Sequence, residues 1–181
     1  MASSMTGTAP LNGTTLRVEP FDSPVGRLQL IARGDALAGL YFPDRIPARV
    51  AARVTDRAAT PRETAVLDAV RRQLDEYFAG RRLSFDLALD PIGTTFQQCV
   101  WTALLDIPFG ETVSYAAIAR GVGRAAAIRA VGAANGANPV SIIVPCHRVI
   151  GSNGRLTGYG GGLGVKEWLL AHERRVRDTR G

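Results

Sequence analysis

Apolar and polar residues alternate in short runs over the first quarter of the chain. Thr15–Glu19, Arg27–Arg33 and Leu37–Phe42 read as three strands, with Ser23–Gly26 and Gly34–Asp35 as turns between them. That pattern predicts a small antiparallel meander. The spacing then changes. Val66, Val70, Leu74 and Phe78 recur every four residues, with Ala69 and Tyr77 beside them, which predicts a helix. Thr60-Pro61-Arg62-Glu63 supplies its start as N-cap, first-turn proline and capping-box acid, and Gly80 its end. Leu83–Leu89 is a candidate for one more strand. Asp90–Thr94, with Pro91 and Gly93, reads as a linker, and residues 1–14 as a loose tail.

Beyond the linker the period is helical. Phe96, Val100, Leu104 and Leu105 form one stripe, closed by Pro108 and Gly110. Ser114 is an N-cap for a helix carrying Tyr115, Ile118, Ala119 and Val122. A glycine-containing turn, Gly121–Gly123, leads to a further helix over Ala125–Ala134, stopped at Asn135-Gly136. Two short helices about such a turn are the outline of a helix-turn-helix. The apolar run Val140–Val144 then meets Pro145-Cys146-His147-Arg148-Val149-Ile150. A turn at Gly151–Gly154 and a glycine-rich loop at Gly158–Gly162 precede a last helix, Val165–Arg174, expected to bury Val165, Trp168, Leu169 and His172 and to fray beyond. The expected fold class is α+β in two domains. Residues 1–90 form a small antiparallel sheet plus helix, and residues 91–181 a mostly helical domain. A short β element is expected between Val144 and Ile150.

Composition narrows the function classes. With 181 residues, 46% apolar and 21% charged, the chain can bury a core without staples. Two cysteines and two histidines exclude a disulfide scaffold and a cysteine-rich zinc module. No apolar run approaches the roughly 20 residues of a membrane helix. The first sixteen residues hold no basic residue and no apolar core, so no signal peptide is expected and a cytoplasmic setting is. Net charge is +6, and it is lopsided. Residues 1–90 carry 12 basic and 11 acidic residues, whereas residues 91–181 carry 10 and 5. A polyanion would meet the second half. Of the 22 basic residues only Lys166 is lysine.

Chemistry concentrates at Cys146. A lone cysteine in an apolar run is usually a small buried hydrophobe. Here Pro145 denies a ladder hydrogen bond, His147 can accept a proton near neutrality, and Arg148 adds charge that would favour a thiolate. In an extended segment adjacent side chains point apart, so a bridging water or a bent loop suits Cys146 and His147 better than direct contact. An orienting acid for His147 could be Asp106, Glu111, Glu167, Glu173 or Asp178, with Glu173 well placed at the end of the last helix. Cys99, beside Val100 and Trp101, reads as structural, and His172 as packed. These residues suggest covalent chemistry on nucleic acid without identifying the reaction.

Ordered matches run from about Gly93 to Glu173. They include Phe96-Gln97 with Val100-Trp101, Ile107-Pro108 with Gly110, Ser114-Tyr115 with Ile118-Ala119, and Arg129-Ala130-Val131-Gly132. They continue through Asn138-Pro139, Pro145-Cys146-His147-Arg148-Val149, Gly158-Tyr159 with Gly161-Gly162, and Lys166 with Leu169-Leu170. On these the chain resembles the O6-alkylguanine-DNA alkyltransferases. The resemblance implies a ribonuclease H-like first domain and a winged-helix-like second one. It implies stoichiometric, irreversible transfer of an alkyl group from O6-alkylguanine, and also O4-alkylthymine, to Cys146 after base flipping. His147 would be the water-linked base, Glu173 its orienting acid, and Asn138 the brace between recognition helix and active-site segment. Arg129 would fill the vacated base stack, with Ala130 and Gly132 on the same helix close to DNA. Tyr115 would crowd the phosphate and protonate the leaving guanine. Val149, Tyr159 and Gly160 would line the base pocket.

The implied partner is double-stranded DNA, bound through the minor groove without sequence preference. No cofactor, metal or membrane is expected, and the chain is expected to be a monomer, with cooperativity on DNA left open. Two departures stand out. Ala125 replaces the proline often found before the recognition helix, which predicts a looser helix start. Gly160 stands where some relatives carry serine, which predicts a wider pocket. Three rivals are a sensor lacking the nucleophile, a helix-turn-helix regulator with a structural or redox cysteine, and a cysteine hydrolase.

Overall fold

The computed structural model describes residues 15–180 and the backbone of Ser4–Met5. The chain divides into two compact units, Met1–Ile92 and Gly93–Gly181.

In the first unit β2 (Arg17–Ser23), β3 (Gly26–Arg33) and β4 (Ala36–Tyr41) form the expected antiparallel meander. Gly26 and Gly34 turn the chain at φ of +103° and +61°, a region open to glycine. β1 (Ser4–Met5) and β5 (Ala88–Leu89) complete a sheet of order β1-β5-β4-β3-β2, and both of their pairings are parallel. The strand expected over 83–89 therefore shrinks to its last two residues. Ser4–Met5, expected as tail, pair with β5, and the remainder of residues 1–14 lies outside the described residues. All six residues of β4 are buried. A strand covered on both faces reads as an unbroken apolar run, as Ala36–Tyr41 does. Leu16, Ile31, Ala38 and Tyr41 form one buried cluster with Val50 of the short helix α1 (Ala48–Ala51).

Helix α2 (Pro61–Phe78) packs on β2, β3 and β4. Its capping box is formed in both directions between Thr60 and Glu63, and Arg57 adds two hydrogen bonds to the Glu63 carboxylate at 2.8 and 2.6 Å. The buried face is Leu67, Val70, Leu74 and Tyr77, and not the four-residue series Val66, Val70, Leu74, Phe78. Steps of four overshoot a helical turn by about 40° each, so Val66 and Phe78 drift to the flanks, whereas steps of three and four keep one face.

The second unit contains α3 (Thr95–Leu105), β6 (Val113–Ser114), α4 (Tyr115–Gly121), α5 (Ile128–Gly136), β7 (Val149–Ile150) and α6 (Leu163–Asp178). Thr94 and Gln97 make a second capping box at the start of α3. Trp101, not part of the expected stripe, is buried and donates its indole N–H to the Ala134 carbonyl at 2.8 Å, clamping α3 to α5. Cys99, which reads as structural in the sequence, is exposed on α3. Ser114 caps α4 through the Ala117 amide, as expected.

Helix α5 starts at Ile128, three residues later than expected. Its N-cap, Ala127, has no side chain to satisfy the free amides, and Ala125–Ala127 form a turn. Helix α6 runs four residues beyond Arg174, ending with Arg175 and Arg177 in its last turn, where cations suit the helix dipole. β6 and β7 pair in parallel, Val113 with Val149 and Ser114 with Ile150. That pairing anchors the chain after Cys146 beside the start of α4. No helix among the described residues is long and apolar enough to cross a membrane.

Candidate active site

The apolar run before Cys146 is bent rather than extended. The Ile143 amide donates to Ser141 O around Ile142, and the Cys146 amide donates to Val144 O around Pro145, both at 2.8 Å. These are two three-residue γ-turns. Ile142 has φ +72° and is the only non-glycine residue at positive φ among the described residues. A β-branched side chain there costs about 1–3 kcal/mol, held in place by complete burial. Cys146–Arg148 then form one turn of 3-10 helix. Two bends and a tight turn remove the strand alternation that would send Cys146 and His147 to opposite faces.

The Cys146 sulfur is buried and accepts a hydrogen bond from Asn138 Nδ2 at 3.0 Å. The same amide group donates to Val144 O at 2.8 Å, and Asn138 Oδ1 accepts from the Val140 amide at 3.0 Å. Asn138 thus ties the end of α5 to the bend and to the thiol. Burial pushes the Cys146 thiol up to about 11. The Asn138 hydrogen bond, the Lys166 charge and the backbone amides of Cys146 and His147 pull the other way. At neutral pH the group rests as a thiol in a cradle built for its anion.

His147 is fully buried, with Nε2 2.9 Å from Glu173 Oε1. An ionised carboxylate can only accept, so Nε2 carries the hydrogen and Nδ1 keeps its lone pair. His147 Nδ1 is buried and has no hydrogen-bond partner among the described residues. Burial lowers the His147 pKa against the opposing pull of Glu173, so the ring is a neutral base. Glu173 accepts hydrogen bonds at both carboxylate oxygens. His147 Nε2 and Arg148 Nη2 reach Oε1, both at 2.9 Å, and Arg148 Nε (2.9 Å) and the Gly110 amide (3.0 Å) reach Oε2. Burial alone would raise this carboxyl. Its bonds to His147 and Arg148 outweigh that and hold it well below the carboxylate range.

Arg148 corrects an expectation. Its guanidinium is turned to Glu173 and, at 2.6 Å, to Ile107 O, so its charge is matched there and does not serve the thiol. The nearby cation is Lys166, fully buried on α6, which donates to Val149 O at 2.6 Å and Thr157 O at 3.2 Å. Sequence reasoning passed over it because lysine is counted as surface. The available signals were its place among the ordered matches and its being the single lysine among 22 basic residues.

Of the other expected residues, Tyr159 is buried with its ring 6.3 Å from His147, edge on. Val149 is buried, and Gly160 follows Tyr159 in the loop before α6. Tyr115, the first residue of α4, shares a hydrogen bond with Thr157 Oγ1 at 2.7 Å. Gly132 faces the Tyr115 ring, where an added Cβ would sit 3.9 Å away. Arg129 and Ala130 stand exposed on α5, outside the buried set. His172 stacks on Trp168 at 5.1 Å and is packed, as expected. Among the described residues no group of three or more His, Cys, Asp or Glu side chains is placed to hold a metal.

The two lowered pKa values set a pH dependence. His147 protonates in the unfolded chain near 6.5 but only at lower pH in the fold, so acid favours unfolding from about 6.5 downward. Glu173 stabilises the fold above its unfolded value of 4.5, and that contribution is lost as pH falls through its lower folded value. Melting temperature measured from pH 8 to 4 should fall as pH drops below about 6.5, and fall further below about 4.5. A melting temperature that rises on acidification would contradict the assignment.

Two family profiles match the chain. The 6-O-methylguanine DNA methyltransferase ribonuclease-like domain matches residues 16–91, and the 6-O-methylguanine DNA methyltransferase DNA binding domain matches residues 95–175. A methylated-DNA–protein-cysteine methyltransferase of Mycolicibacterium paratuberculosis is 51% identical over 156 residues, covering 85% of this chain and 90% of its own. One from Methanosarcina acetivorans is 48% identical, covering 84% and 95%. The crystal structure of the Mycobacterium tuberculosis O6-methylguanine methyltransferase aligns with a TM-score of 0.76 at 46% identity, over 89% of this chain and 93% of that one. The structure of the M. tuberculosis OGT in complex with DNA aligns at 0.79 and 45%, over 88% and 94%.

Proposed function

The chain belongs to the O6-alkylguanine-DNA alkyltransferase family, and from that premise we propose that it repairs DNA by moving an alkyl group from O6 of guanine onto Cys146. The observation that carries the assignment is the line Cys146, His147, Glu173. A thiol sits in an anion-stabilising cradle, a neutral imidazole has an unengaged lone pair, and a carboxylate fixes that tautomer.

His147 takes the thiol proton through a water, the Sγ–C bond forms, and the C–O6 bond breaks with its electron pair passing to guanine. The guanine takes up a proton from the Tyr115 hydroxyl, and solvent water returns one to Tyr115 while His147 releases the proton it took from the thiol, so the protons balance. The product is a thioether, and nothing in the site reverses it. Each chain therefore acts once, on O6-alkylguanine and by the same chemistry on O4-alkylthymine. The alkyl group lies inside the duplex, so the base is flipped out, at a cost of a few kcal/mol. Arg129, exposed on α5, fills the gap. Ala130 and Gly132 let the helix approach the minor groove closely, and contacts with phosphates make binding independent of sequence. Val149, Tyr159 and Gly160 wall the flipped base. The reading takes the chain as a cytoplasmic monomer needing no cofactor, because Cys146 is itself the acceptor.

The test is transfer from a duplex labelled on O6-methylguanine. One equivalent of label per chain is expected, on the Cys146 peptide. Label elsewhere, or many turnovers per chain, would overturn the proposal. Arg129→Ala should slow reaction with duplex by about tenfold or more while changing reaction with free O6-methylguanine by less than about twofold.

A further inference from the structure

Thr157 belongs to none of the groups assigned above, yet it joins two of them. Its hydroxyl lies 2.7 Å from the Tyr115 hydroxyl, 42 residues away in sequence. Its carbonyl accepts from Lys166 Nζ at 3.2 Å, and the same ammonium donates to Val149 O at 2.6 Å. Val149 follows directly on the Cys146–Arg148 turn and pairs with Val113 beside α4. A closed circuit results: Tyr115 to Thr157, Thr157 to Lys166, Lys166 to Val149, and Val149 through β6 back to Tyr115.

We propose that Thr157 is a positioning residue for alkyl transfer, holding the Tyr115 hydroxyl at the place where the leaving guanine takes its proton. The inference rests on the alkyl-transfer reading of the site. A tyrosine at the first position of a helix has its backbone fixed but its ring free to swing about χ1 and χ2. Thr157 Oγ1 restrains it here by engaging the hydroxyl, whereas Gly132 offers the ring no side chain to pack against. Each hydroxyl has one hydrogen. When Thr157 donates to Tyr115 Oη, the tyrosine hydrogen is left to point away from Thr157, toward the entering base. A hydrogen bond received by the phenol oxygen also stabilises the developing phenolate, so the same contact sharpens Tyr115 as a donor. Thr157 is only half-buried, so loss of its hydroxyl leaves no sealed polar gap. The backbone link to Lys166 survives any side-chain substitution there, which isolates the hydroxyl as the variable.

The experiment measures single-turnover transfer from O6-methylguanine duplex over a range of protein concentrations, in the full chain. Thr157→Val should lower the maximal rate constant about three- to tenfold, the range of one net hydrogen bond, with the half-saturating concentration within about twofold of wild type. Thr157→Ser should recover most of the rate. In a Tyr115→Phe background Thr157→Val should have no further effect. A Val variant as fast as wild type, a Ser variant as slow as Val, or independent losses that multiply in the double variant would each overturn the proposal. If wild-type protein transfers no alkyl group at all, the reading of the site has failed instead, so the two failures are distinguishable.

Discussion

Cys146→Ser should bind alkylated duplex with affinity within about threefold of wild type and transfer no measurable label, a loss of at least about a thousandfold. The argument is chemical and local. The cradle around the sulfur lowers the cost of an anion by one Asn138 hydrogen bond, the charge of Lys166 and two backbone amides. Even with these, burial keeps the thiol near 11. A serine hydroxyl starts several units higher and is a poorer nucleophile toward carbon, so the same cradle and the same His147 cannot ionise it usefully. Gel-shift affinity and label transfer on one preparation separate the two effects. Transfer by the Ser variant at a tenth of the wild-type rate would remove Cys146 from its role.

The second large effect is expected at Glu173. Glu173→Gln keeps the shape but removes the charge that faces Arg148, whose side chain is almost entirely buried. It also places an amide N–H where two donors now point. Breaking a buried pair from one side costs about 3–5 kcal/mol, because the partner charge is left uncompensated. The melting temperature should drop accordingly. The rate should fall as well, because His147 Nε2 loses the acceptor that fixes its tautomer, and general-base contributions run to about 10²–10⁴-fold. Adding Arg148→Met to Glu173→Gln should restore part of the stability, since the stranded charge is gone, and none of the rate. If the double variant recovers both, Glu173 acts only through folding. If Glu173→Gln leaves the melting temperature unchanged, the buried network is not formed as described.

Element by element, the features readable from the chain were those made within a few residues. The capping box at Thr60 and Glu63, the cap at Ser114 and the meander turns at Gly26 and Gly34 all depend on neighbours up to four positions apart. Patterns read over longer stretches slipped. The stripe of α2 rotated because a four-residue series does not match the helical repeat. Helix α5 began late because Ala125–Ala127 offer no cap, and α6 ran on because its terminal arginines suit a helix end. The run Val140–Val144 shows only its apolar character in sequence, and the two γ-turns around Ile142 and Pro145 follow from Asn138 and from the packing around Ile142, neither of which leaves a periodic trace.

The candidate site divides in the same way. The proposed nucleophile and its adjacent base stand in one pentapeptide, and the resemblance carried by the second half implies roles for Asn138, Glu173, Tyr115 and Arg129. Arg148 is a cation as expected, but it serves Glu173 and not the thiol. Lys166 has no expected role in the site, and burial places it there. Both outcomes turn on contacts across long separations: 25 residues from Arg148 to Glu173, 41 to Ile107, and 17 from Lys166 to Val149. A buried charge is tolerable only where partners converge on it. Composition and spacing say which charges exist, and they say nothing of which will be enclosed.

What the chain determined by itself, then, was the local grammar of its helices and turns, the skewed charge of its second half, and a cysteine beside a histidine. These are properties of residue type and near neighbours. The tertiary structure alone decided that His147 is neutral with Nδ1 open, that Arg148 answers to Glu173, and that Lys166 and Thr157 close a circuit between Val149 and Tyr115. Protonation and hydrogen-bond direction depend on what surrounds a group in three dimensions, and that surrounding comes into existence only when the chain folds.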